Sequence, residues 1–245
     1  MRDYTDKRGR KLEEKGFTRL TMCSCIYYLK SGGDLILVYA FVDDFVFAGS
    51  NTPKLHDIID LLRTVIDTTE PVWDWCPTKV LGLGINRERE SRAIEINMSE
   101  KIQELHNKCV VFVETTADKS ISKTEMERTT NIPMPTTGFV VQEQARDELE
   151  QDFSAPLTAE EVSMYMTIVG CLIWIAGIRF DITFALMYCT WFTKSPRKHH
   201  MHMALYIVRY LKTTHSLPLI LGGRDPICVT GYSDASLGTA QKSRS

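Results

Sequence analysis

Two adjacent acidic residues, Asp43 and Asp44, interrupt the run from Leu35 to Gly49, which is otherwise apolar and aromatic. Each flank is of strand length and rich in Val, Ile, Tyr and Phe, and no glycine or asparagine stands at the centre to make an ordinary tight turn. Two carboxylates roughly 5 Å apart repel by about 3 kcal/mol at an effective dielectric of about 20, so a fold that keeps both ionised supplies a cation or leaves them in water. For hard oxygen donors the fitting cation is magnesium, which takes a few carboxylate oxygens, keeps several waters and shares its remaining positions with phosphates. A solvated acidic turn between two strands is the other reading of the same residues.

The other chemistry-bearing residues are weaker signals. His199, His200 and His202 stand before a helix at a spacing that does not put three ligands on one helical face, and no acid or cysteine is close, so a solvated basic face is expected and not a metal site. Lys194, Arg197, Lys198, Arg209 and Lys212 could contact nucleic-acid phosphates or simply keep a helix surface soluble. The 7 cysteines are scattered, with only Cys23 and Cys25 close together and no CxxC pair, which argues against zinc and for a reducing compartment. A formal net charge of -2 gives no global basic signature. Charge is nevertheless uneven, basic near the N-terminus and over 194–212, acidic over 143–161.

The elements that must position these residues follow from periodicity. Residues 1–20 read as a polar helical lead-in, then strands at about Ser24 to Leu29, Leu35 to Val42 and Phe45 to Ala48, with Ser31-Gly32-Gly33 as the first turn. Leu55, Ile58, Ile59, Leu62, Val65 and Ile66 recur at helical spacing behind the cap pair Thr52-Pro53, predicting a helix to about Thr68. A hairpin of Lys79 to Ile85 with Ala93 to Asn97 and a helix from Ser99 to Cys109 come next, and 114–156 reads as a polar linker. Thr158 opens a helical region, Ser195-Pro196 caps a helix to about Lys212, and Leu217 to Leu221 with Ile227 to Tyr232 form a last hairpin. The apolar run from Met164 to Ile178 is shorter than the roughly 20 residues that span a bilayer and is expected to be a buried helix, with no membrane as partner. The N-terminus is too polar for a signal peptide.

Taken with these elements, Phe41-Val42-Asp43-Asp44 resembles the xDD motif of reverse transcriptases, and the surrounding words resemble the copia-type LTR retrotransposons. Lys15-Gly16-Phe17 and Cys25-Ile26-Tyr27 sit where that family has Gly-Phe and Cys-Leu-Tyr, and Ala48-Gly49-Ser50 is similar to its post-hairpin AGS. Farther on, Leu81-Gly82-Leu83-Gly84-Ile85 resembles FLGIEI, Ile132-Pro133-Met134 resembles TPM, and Tyr165 with Ile168-Val169-Gly170 resembles Y…LVG. Arg179-Phe180-Asp181-Ile182 resembles RPDI, Arg209-Tyr210-Leu211-Lys212 matches RYLK, and Gly231-Tyr232-Ser233-Asp234-Ala235 matches GYSDA. Each word is short; their shared order across nearly the whole chain is specific.

The resemblance implies an α+β fold. Residues 1–97 would be the C-terminal half of a reverse-transcriptase palm, 98–157 a thumb-like helix and linker, 158–215 a helical connection, and 216–245 the first strands of a truncated ribonuclease H-like domain. It also implies a two-magnesium nucleotidyl transfer in the intact parent, with Asp43 and Asp44 as catalytic metal ligands and Asp234 as the first ribonuclease H ligand. Gly82 and Gly84 would lie in the primer grip, where small residues let backbone approach a nucleic-acid strand; a strand bend or close packing is the alternative. Lys194, Arg197 and Lys198 would face an RNA template and DNA primer duplex, with dNTPs as substrates and the rest of a Pol polyprotein as partner. A third carboxylate would precede residue 1, because Asp34 lies in the same hairpin as Asp43, so the chain alone is expected to be inactive. Localisation would be cytoplasmic, in a virus-like particle, or nuclear. Two other classes remain, a catalytically dead nucleic-acid-binding module and a purely structural remnant.

Overall fold

The computed structural model describes residues 9–41, 44–50, 52–63, 78–116, 122–135, 155–224, 231 and 233. Contacts divide the chain into two compact units, Met1–Trp73 and Asp74–Ser245.

The first unit is an antiparallel meander covered on one face. After a helix α1 at 9–14, strands β1 (Thr18–Leu20), β2 (Cys23–Ser31), β3 (Asp34–Phe41) and β4 (Asp44–Gly49) lie in the order β1-β2-β3-β4. Ser31 pairs with Asp34 across Gly32 and Gly33, both at positive φ (61° and 87°), the two-residue turn whose twist suits a hairpin. Strand alternation then decides the core: Tyr27, Ile36 and Val38 are buried while Leu35, Leu37 and Phe41 stay exposed. Helix α2 (Thr52–Arg63) lays Leu55, Ile58, Ile59 and Leu62 on the buried face, joined by Leu12 and Phe17. The expected helical stretch to Thr68 is found as far as Arg63; residues 64–77 lie outside the described ones. Strand β1 was not expected, since three residues joined to β2 through a bulge leave almost no alternation to read.

The second unit is a helical core with its own sheet. Strands β5 (Lys79–Val80), β6 (Leu83–Glu88), β7 (Ala93–Asn97) and β8 (Leu219–Gly222) lie in sequence order, all antiparallel. Helices α3 (Ser99–Thr115), α4 (Lys123–Met126), α5 (Ala159–Ala176), α6 (Thr183–Trp191) and α7 (Lys198–Thr213) supply the core, with a 3₁₀ turn Phe180–Ile182 between α5 and α6. Helix α3 runs past the expected end at Cys109 because Ile102, Leu105, Cys109 and Val113 continue one buried stripe. Thr158 caps α5 as expected, in a reciprocal box with Glu161, whose side chain accepts from the Thr158 backbone N–H at 2.8 Å. By length and composition α5 is apolar enough to cross a membrane, yet it is one-sided: Met164, Tyr165, Ile168, Val169, Leu172 and Ile175 are buried in this core. The N-cap of α3 is Met98, so Ser99 is its first helical residue, and the N-cap of α7 is Arg197, displacing the expected Ser195. The expected hairpin partner of β8, residues 227–232, falls largely outside the described residues, and β8 pairs with β7.

Candidate functional site

In the acidic hairpin, Phe41 at the end of β3 pairs with Asp44 across the connection. Asp44 opens β4; Asp43 lies outside the described residues, as does Asp234. Aromatic rings line both strands behind this connection, Tyr39 with Phe41 at 6.0 Å between centroids and Phe45 with Phe47 at 6.1 Å. Phe45 and Phe47 pack on the α2 core, whereas Phe41 belongs to the opposite, exposed face. Asp34 stands at the far end of β3, roughly 23 Å away at about 3.3 Å per residue. There Lys54 Nζ approaches its carboxylate at 3.5 Å and donates to the Ser31 carbonyl at 2.8 Å. Asp34 therefore cannot complete a metal site at the connection. Among the described residues no group of three or more His, Cys, Asp or Glu side chains could hold a metal ion. The pair Asp43 and Asp44 fits magnesium by donor chemistry alone, as two hard carboxylates in a number too small for a closed site.

Gly82 and Gly84 each have a reason within the chain. Val80 pairs with Leu83, and the intervening Leu81 and Gly82 have φ of 52° and 79°, so the expected hairpin strand is broken by a tight turn of the same handedness as that at Gly32-Gly33. Gly84 pairs with Asn97, and a Cβ at Gly84 would come within 2.7 Å of the Asn97 Oδ1, which accepts from the Ser99 N–H at the start of α3. Close packing is thus what Gly84 visibly serves.

The basic segment is more tethered than its sequence suggests. Lys194 is exposed, but the Lys198 ammonium is ion-paired with the buried Glu161, and its backbone N–H donates to the Ala155 carbonyl at 3.2 Å. The Arg197 backbone N–H donates to His200 Nδ1 at 3.0 Å. Arg209 donates to Glu125 at 3.3 Å and lies over the Tyr206 ring, and Lys212 donates to Gln103. The histidine cluster is not a solvated face: His200 is buried and stacks on Phe192 at 3.9 Å, because the first turn of α7 is pinned under the end of α6. Burial pushes the Glu161 carboxyl up, but its hydrogen bonds from Lys198 and Thr158 prevail and hold it below the usual carboxylate range.

A network around one buried arginine was missed in the sequence, where its members counted only as separate words. Arg179, 3 % exposed, grips Asp181 through both Nε and Nη2 at 2.9 and 2.6 Å, and donates to the Thr214 carbonyl and hydroxyl at 2.9 and 2.7 Å. Tyr210 donates to the same Asp181 carboxylate at 2.6 Å. Burial raises the Asp181 carboxyl, and the hydrogen bonds from Arg179 and Tyr210 with the guanidinium charge outweigh it, leaving the group below its ordinary value. One polar cluster thereby ties the α5–α6 corner to the end of α7, which joins the RFDI and RYLK words in space. A spacing rule could not find it; an arginine beside a long apolar run is the signal that was present.

Comparison with known proteins bears on nearly the full length. The chain is 25 % identical over 87 % of its residues to a retrovirus-related Pol polyprotein from transposon TNT 1-94 of Nicotiana tabacum. It is 24 % identical over 93 % to a transposon Ty5-1 protein of Saccharomyces cerevisiae, and 22 % over 90 % to a Pol polyprotein from transposon RE1 of Arabidopsis thaliana. It spans 14 %, 65 % and 13 % of the lengths of these relatives. No protein-family model matches the sequence, and no solved structure matches it. These homologues are transposon proteins, two of them named as Pol polyproteins, at low identity.

Proposed function

We propose that this chain is a part of the reverse-transcriptase and ribonuclease H region of a copia-type Pol polyprotein, whose complete form copies RNA into DNA. The observation that carries the reading is the β3–β4 hairpin, an otherwise apolar antiparallel pair that closes with Phe41 opposite Asp44. Its uncovered face, with Leu35, Leu37 and Phe41 exposed, is the side on which a primer strand would lie in a palm. Asp43 and Asp44 would hold magnesium together with a carboxylate from outside this sequence. Such ions supply charge neutralisation at the transferring phosphates. The residues of this chain would position that charge; Asp234 would serve the second activity in the same way.

A titration of the purified chain with manganese, read as paramagnetic broadening of the Phe41 and Asp44 amides by NMR, tests it. Saturable broadening that disappears in the Asp43→Asn, Asp44→Asn double variant is expected, with no nucleotide incorporation on a primer-template by the chain alone. Equal broadening of wild type and double variant would remove the metal-binding reading and leave a solvated turn. The nucleic-acid contacts of Gly82, Gly84, Lys194, Arg197 and Lys198 belong to the same proposal. A salt-dependent gel shift with primer-template duplex, weakened by Lys194→Ala, is its separate measurement.

A further inference from the structure

Residues 214–224 follow a well-buried helix yet bury little themselves. In α7, Met203, Ile207, Val208 and Leu211 are fully enclosed, whereas Leu217, Ile220 and Leu221 beyond it are 50, 59 and 47 % exposed. The strand β8 is at the edge of its sheet, and no strand covers its outer side among the described residues. Apolar burial therefore contributes little to holding this segment, and hydrogen bonds hold it instead. At the inner end Arg179 donates to the Thr214 carbonyl and hydroxyl, and the Ser99 hydroxyl at the start of α3 donates to the His215 carbonyl at 2.9 Å. In the middle, Leu219–Gly222 pairs with β7 from Ile96 back to Ala93. At the outer end the chain folds over the β6–β7 turn: the Gly223 N–H donates to the Arg92 carbonyl at 3.1 Å, and Arg224 brings both Nε and Nη2 to the Glu90 carbonyl at 2.9 and 2.6 Å.

The outer contact is closely fitted. Gly222 has φ of 84°, and a Cβ there would lie 2.6 Å from the Arg92 carbonyl oxygen, while Arg92 itself takes φ of 60°. The two ends differ in how readily water can replace their bonds: Arg179 is buried, whereas the Arg224 contact is exposed. We infer that 214–224 is a latch, hinged where Arg179 holds Thr214 and closed by Arg224 on the β6–β7 turn. Closed, it fixes the point at which the chain leaves the second unit. Open, it bares the edge of β7 and lets the following chain, which carries Asp234, swing from the end of α7. The latch needs none of the metal chemistry proposed for Asp43 and Asp44.

Native-state hydrogen exchange of the full chain, followed amide by amide, tests the latch. The amides of 219–222 and the β7 amides directed at β8 should open together, ahead of those of α5 and α7. Arg224→Ala should speed exchange of that set by roughly three- to tenfold, as the loss of one or two hydrogen bonds does, and leave α5 and α7 unchanged. Gly222→Ala, which forces a Cβ against the Arg92 carbonyl, should move the same amides in the same direction. Exchange of 219–222 at the pace of α7 would overturn the latch. So would indifference of these amides to both variants, or an equal acceleration of α5 and α7, which would make the segment one with the helical core.

Discussion

Arg179 shows how much one residue can decide here. Its guanidinium is buried and all three nitrogens donate, Nε and Nη2 to Asp181 and Nη1 and Nη2 to Thr214, with the Tyr210 ring at 5.5 Å. Removing one member of a buried pair leaves the others unsatisfied, so Arg179→Ala should destabilise the second unit by about 2 kcal/mol, at the low end because Asp181 is itself partly solvated. Arg179→Lys should recover little of this, since an ammonium cannot reproduce the two-pronged grip; urea unfolding of both variants measures the difference. Asp181 and Glu161 also give stability a pH dependence of definite sign. Both carboxyls are held below their ordinary values, so the unfolded chain binds protons more readily. Their contribution is therefore complete above about pH 4 and is lost as pH falls through the lower folded-state values. Acid titration of Asp181→Asn should show a shallower loss than wild type. Among the described residues the cysteines divide by burial. Cys109 and Cys189 are enclosed and their thiols pushed up to about 12 by desolvation, whereas Cys23, Cys25 and Cys171 are half-buried. Alkylation of the native chain followed by mass spectrometry should label Cys23 and Cys25 before Cys109 and Cys189, and early labelling of Cys109 would contradict the packing.

At the scale of elements, the hairpins explain both what could be read in the sequence and what could not. Strands β2, β3 and β4 were legible to within two residues because alternating apolar positions and the Gly32-Gly33 turn fix the register locally. The β5–β6 turn was not, because Leu81 gives no hint that it takes a positive φ. That conformation costs a branched residue about 1–2 kcal/mol, and Leu81→Asn should recover about 1 kcal/mol, seen as a higher urea midpoint with unchanged slope. Gly84 argues in the other direction. A larger residue there must displace the Asn97 side chain from the start of α3, so Gly84→Val should loosen β6–β7 pairing and speed amide exchange in β7. The β7–β8 pairing was illegible for a different reason: Ala93 to Gly222 is a contact between distant segments, which no local pattern encodes. The chemistry was legible in proportion to its locality. An Asp-Asp pair in one hairpin can be seen in a sequence; an ion pair between Glu161 and Lys198, or a grip of Arg179 on the end of α7, depends on how helices pack.

For the molecule as a whole, the division at residue 73 separates two unequal cores. The described buried cluster of the first unit has nine apolar side chains, from Leu12 to Leu62, while that of the second has twenty-five, from Met98 to Leu211. Each buried Leu, Ile or Phe contributes about 1.5–3 kcal/mol against the entropy of ordering the chain, so the smaller unit has less to offset that cost. Its four-stranded sheet, covered by α2 on one face and with Leu35, Leu37 and Phe41 exposed on the other, is the weaker element. Unfolding should not be two-state. Hydrogen exchange under native conditions should release β2–β4 at a free energy below that of α5 and α7, whose amides should exchange last. Pulse-labelling in rising urea, read by mass spectrometry on peptides from 23–49 and 159–213, should therefore show two separate midpoints with the first unit opening earlier. A single shared midpoint would mean that the two cores stabilise each other enough to melt as one, and the division at residue 73 would then have no energetic meaning.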